Sequence, residues 1–317
     1  MREIHSFHGL GQVQALIDPF FGDPFEAGGI ALPSLPDDRI RKLKIRHAEV
    51  DDDKLPYLIG LDAGSDAGAV IHDLQALSIS EAAHIPKEGE VWSQKRSVAG
   101  FLVCKKSDAD LRSLVLLLER MGSLKDGSGQ KRLFRFWDPR VLQHVDAASH
   151  TMASWRHLFS TSMGRNVGAV DWHFFDAAAV PRVLRIEPLD TTESEPWSPV
   201  LSDPLRRELE LWSCINKMSL QLLIVGGTTQ VTPELAAQLR EASFRNVAPF
   251  LGFDRFDPNA KVELALLRLF GKKPIEEDAA VMNALAEKSE AGFSIFPRLD
   301  DVLKTDVERA LIEFQDH

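Results

Sequence analysis

The residues best suited to chemistry in this chain are few and scattered. His5 and His8 stand three apart, but a third ligand at fixed spacing is missing and no cysteine or acid cluster accompanies them. A frayed terminus explains them more simply than a metal. Asp171 and His173 lie two apart on a stretch of strand character and would share one face, as the acid-oriented histidine of a hydrolase does. No Gly-x-Ser-x-Gly elbow supplies a nucleophile, so a surface hydrogen-bonded pair is the simpler expectation. Cys104 and Cys214 each sit in an apolar stretch where a small buried hydrophobe would serve, which fits a reducing compartment without a disulfide framework.

Two glycine-bearing loops raise the question of phosphate. Leu61-Asp-Ala-Gly-Ser65 follows an apolar run and resembles the acidic phosphate loop of actin-like and sugar-kinase ATPases. In that loop glycine lets the backbone approach a phosphate and the aspartate helps to hold magnesium. The resemblance implies a nucleotide-dependent phosphotransferase built on Asp62, Gly64 and Ser65. Those enzymes carry the loop near their start, inside a hairpin, with two further nucleotide loops that this sequence lacks. A turn closing a strand is therefore the plainer reading. Val225-Gly-Gly-Thr-Thr229 lacks the lysine of a Walker loop and reads as a helix stop. The sequence thus gives no reason to expect a catalytic set, a cofactor or a metal.

Bulk properties narrow the partners. Acidic residues number 47 against 37 basic ones, for a net charge of −10, so the surface should repel phosphate backbones and nucleic acid is not an expected partner. The start of the chain, from Met1 to Ser6, has one cation and no apolar core of a secretory signal. Apolar runs such as 114–118 and 220–225 fall far short of the ~20 residues that span a bilayer. A cytoplasmic protein without a membrane span is the expectation.

The elements that must position these residues divide the chain. Strand-like runs at 13–17, 56–61, 100–104, 133–137, 169–174 and 182–186 alternate with helical patterns, which predicts an α/β (α+β) lobe with a mixed sheet over 1–187. Ser107 and Asp110 form a capping box ahead of a helix that Gly122 closes. The segment 38–53 runs from basic to acidic and reads as a solvated helix face plus turn. Prolines spaced among Asp, Thr, Glu and Ser mark 188–203 as a linker. Beyond it Asp203-Pro204, Thr232-Pro233 and Asp257-Pro258 each place a cap before a helix-starting proline, which predicts an all-helical lobe over 204–317. Further helices are expected around 281–286 and 297–314. Leu205, Leu209 and Trp212, with Leu264, Leu267 and Phe270, give apolar stripes that would pack a core or line a groove for an amphipathic segment of a partner.

One corner stands out. Phe134 and Phe136 would share a strand face, with Arg135 and Trp137 on the other. Asp138 can then cap a new helix whose first residue is Pro139, with Arg140 in its first turn. The run Phe134-Arg-Phe-Trp-Asp-Pro-Arg140 resembles the hallmark of the type VI secretion effector-chaperone (adaptor) family. Weaker family-like segments occur in the expected order at Ala15-Leu-Ile-Asp18, Pro56-Tyr-Leu-Ile59 and Gly100-Phe-Leu102. Many relatives carry Phe-Gly-Pro after the hallmark, where this chain has Leu158-Phe-Ser160. The resemblance covers about the first half of the chain. It implies a chaperone that binds one toxic effector and brings it to the valine-glycine-repeat spike protein. By elementary chemistry the corner is scaffold before it is contact surface, since an aspartate cap, a proline and an arginine fix geometry without catalysis. A structural part of a secretion baseplate is the third expectation.

Overall fold

The computed structural model describes residues 12–26, 29–31, 39–45, 51–61, 65–85, 95–104, 111–125, 129–149, 168–187, 203–225, 231–252, 258–271, 274 and 277. The strands are β1 (Gln12–Ile17), β2 (Ile40–Lys42), β3 (Tyr57–Leu61), β4 (Val98–Cys104), β5 (Ser123–Lys125), β6 (Lys131–Leu133), β7 (Val170–Phe175) and β8 (Pro181–Ile186). The helices are α1 (Ser65–Ala83), α2 (Leu111–Gly122), α3 (Pro139–Ser149), α4 (Asp203–Val225), α5 (Pro233–Val247) and α6 (Pro258–Gly271). Residues 1–84 with 94–205 form one compact unit, and 85–93 with 206–317 another. No described helix is long and apolar enough to cross a membrane.

Six strands form one sheet in the order β2-β3-β1-β4-β7-β8, and every pairing in it is antiparallel. This corrects the mixed sheet expected from the alternation of strand and helix. The reason lies in β1. It inserts between β3 and β4, antiparallel to both, so the crossover through α1 joins two strands that run the same way without touching. Alternation in sequence reports the crossover, not the neighbour.

Period-2 patterning sets the two faces. Val13, Ala15, Ile17, Ile59, Phe101 and Val103 face α1, which meets them with Val70 and Leu74 one helical turn apart. Leu16, Leu58, Leu102, Trp172 and Leu184 are buried on the other side, where Phe136 lies edge-on to Trp172 at 5.8 Å between ring centroids. Full burial of such side chains contributes about 1.5–3 kcal/mol each. Between Leu16 and Ile17 the β1–β4 register shifts, and Gly100 there has φ of +134°. A Cβ at Gly100 would stand 2.5 Å from the His173 carbonyl oxygen, so only glycine lets the strands close at this point.

Three further expectations are corrected. The strand predicted over 133–137 ends at Leu133: β6 pairs only with β5, and Phe134 to Trp137 turn. Phe134 N–H donates to the Gly122 carbonyl and Asp138 N–H to that of Arg135, which takes the backbone out of any ladder. The solvated helix at 38–53 is instead the edge strand β2 and a 3₁₀ turn at Asp52–Lys54, because Ile40 pairs with Ile59 and Leu43 and Ile45 are buried. The all-helical lobe over 204–317 is reduced to α4, α5 and α6 over 203–271. The helices expected at 281–286 and 297–314 lie outside the described residues, as does the linker apart from Asp203, which opens α4.

Within the second unit, Thr232 Oγ1 accepts from Leu235 N–H at 3.2 Å and Pro233 takes the first helical position, which is the cap-plus-proline start the sequence predicts. Leu211, Trp212, Cys214, Ile215, Met218 and Leu222 of α4 are all buried.

Candidate functional site

The segment 134–140 is a turn that carries three buried aromatics, Phe134, Phe136 and Trp137, and then starts a helix. Asp138 caps α3: its Oδ1 accepts from Arg140 N–H at 2.9 Å, and its own carbonyl receives Val141 and Leu142 N–H. Pro139 fills the position whose N–H would have had no partner. Arg140 then folds back on the cap. Its Nη2 donates to Asp138 Oδ2 at 2.6 Å and its Nε to Oδ1 at 2.9 Å, a two-pronged ion pair within one turn. Phe136 is enclosed by Phe134 at 5.8 Å and Trp137 at 5.2 Å, as well as by Trp172.

Asp18 is the seat on which this turn closes. It ends β1 and is buried, and its Oδ2 accepts from Arg135 Nη2 at 2.5 Å and from Trp137 Nε1 at 2.7 Å. Its Oδ1 accepts from Phe20 N–H at 3.1 Å, capping a 3₁₀ turn at Pro19–Phe21, and its N–H donates to the Ser97 carbonyl at 2.8 Å. Ser97 is clamped in turn by Glu81 at the end of α1, whose carboxylate takes the Ser97 N–H at 2.8 Å and hydroxyl at 2.5 Å. Gly122 completes the seat. A Cβ there would press on Ile45 at 2.6 Å and on the Trp137 ring at 3.0 Å.

Charge is buried here on both signs. Arg96 is fully enclosed, and desolvation, joined by the like charge of Arg140, brings its pKa down to about 10. The carboxylates of Asp138, Glu81 and Asp176 act the other way, and it keeps its proton at neutral pH. Burial alone would raise Asp138, but the charge and hydrogen bonds of Arg140, with the charge of Arg135, hold it down at about 2. Arg140 is raised: burial opposes its charge, and Asp138 and Asp18 outweigh burial. Asp176 caps the β7–β8 turn through Ala178 and Val180 N–H and takes Arg182 Nε at 3.0 Å. The carboxylates of Asp18, Asp138 and Asp176 are thus each bonded to an arginine, which fixes their orientation.

The other sequence candidates are not gathered here. His5, His8 and the 62–64 loop lie outside the described residues, and Ser65 is the first residue of α1. The 226–229 stretch also lies outside them, and α4 ends at Val225. Asp171 and His173 share the half-buried face of β7, where Asp171 receives Arg185 Nε from β8 at 3.1 Å. Leu205, Trp212, Leu264 and Leu267 are buried and Leu209 is half-buried; the side chain of Phe270 lies outside the description. Among the described residues no group of three or more His, Cys, Asp or Glu could hold a metal.

Sequence reasoning found the 134–140 corner but not the buried charges that hold it. Asp18 carries a signal that could have been used, since Asp18-Pro19 repeats the cap-and-proline pair of Asp138-Pro139. Glu81, Arg96 and Asp176 carry none, because a single charge looks the same in sequence whether the fold buries or exposes it. No family model, curated protein or solved structure matches this chain.

Proposed function

We propose that this chain is a non-enzymatic adaptor that binds a toxic effector of a type VI secretion system and assists its loading onto the valine-glycine-repeat spike protein. The observation that carries the reading is the hallmark run Phe134–Arg140 together with the way its parts are used. Asp18, from the first family-like segment, bonds directly to Arg135 and Trp137 of the hallmark. Two sequence features that the resemblance groups are therefore neighbours in space. The acids of the corner are tied to arginines in short, oriented pairs, which suits a rigid scaffold better than proton transfer, where a group must change its charge during the cycle.

The test is co-expression with a type VI secretion toxin from the same source. The adaptor should raise the soluble yield of the toxin and co-purify with it. Equal solubility of the toxin alone, without co-purification, overturns the reading. Titration calorimetry with magnesium and ATP addresses the phosphotransferase reading of Asp62 and Ser65. No saturable heat is expected, and clear binding would replace the adaptor with an enzyme.

A further inference from the structure

We draw no further inference here: the strongest candidate, the outer edge of strand β8, which pairs with β7 alone among the described residues and exposes Arg182, Val183 and Arg185, carries nothing, because nothing in the structure shows what covers it.

Discussion

The two compact units solve the same problem, a charge taken out of water, in different ways. In the helical unit, Lys261 of α6 is fully buried and pairs with Glu210 of α4. Around that pair the helices meet through separate contacts, Lys217 Nζ to Asn259 Oδ1 at 2.7 Å, Cys214 Sγ to the Pro258 carbonyl at 3.6 Å, Ser219 to Ser243 at 3.0 Å and Arg268 Nη1 to the Arg245 carbonyl at 2.8 Å. In the sheet unit, Asp18 alone accepts from Arg135, Trp137 and Phe20, and its neighbour Asp138 takes both prongs of Arg140. A pair can be exchanged for apolar groups. A node cannot, because each donor it serves is left without an acceptor. The corner is therefore where the geometry of the molecule is specified, and the helix contact is where it is merely filled.

The largest expected effect follows from that contrast. Asp18→Ala should cost about 3–5 kcal/mol, because it strands the buried Trp137 N–H and leaves the Arg135 charge without its acceptor. Urea unfolding measures it. A cost below about 1 kcal/mol would mean that water or another residue serves the donors equally well, and the node would lose its special standing.

A pair of double variants sharpens the comparison. Replacing Glu210 and Lys261 together by Leu and Met removes both charges of a buried pair, and stability should shift by no more than about 1 kcal/mol, in either direction. Asp18→Leu with Arg135→Leu also removes both charges, yet should still cost about 2–3 kcal/mol, since the buried Trp137 N–H loses its acceptor. Equal outcomes for the two double variants would erase the distinction between pair and node.

Acid provides a third route. Asp138 sits at about 2 in the folded chain against an ordinary 3.8, so its contribution is full above pH 3.8 and is lost as pH falls toward 2. The shift corresponds to roughly 2 kcal/mol. Asp138→Asn should therefore be less stable than wild type at pH 5, and the gap should close by pH 2. A gap that stays constant over this range would place the stabilisation in the cap alone, not in the charge.

The sequence made some of this legible for identifiable reasons. β1, β3, β4, β7 and β8 announce themselves because short runs rich in apolar residues are a local signal, and α3 because Asp138-Pro139 is a local start. Strand order is not local: nothing in the text before β1 says that it will lie between β3 and β4. α1 went unread because its buried stripe includes Gln75, Ser78 and Glu81 beside Val70 and Leu74, so its buried face is not apolar. The same holds for the site. The run 134–140 is a contiguous string, whereas Asp18, Glu81, Arg96 and Asp176 reach it from separate elements by contacts that only the fold creates.

The smallest expected effect tests whether the helical unit has a specifying contact of its own. Thr232 is exposed, and its hydroxyl satisfies one donor at the start of α5, the N–H of Leu235. Thr232→Ala removes that acceptor, but the N–H at an exposed helix end can turn to water, so the cost should be about 1 kcal/mol. α5 buries only Leu239, Ser243 and Val247, one narrow stripe, so its start contributes an unusually large share of what holds it. Hydrogen exchange should therefore speed up at the amides of the first turn and leave those of α4 unchanged. Exchange that accelerates equally in α4 would make the cap part of a cooperative network, and the helical unit would then resemble the corner with which it has been contrasted.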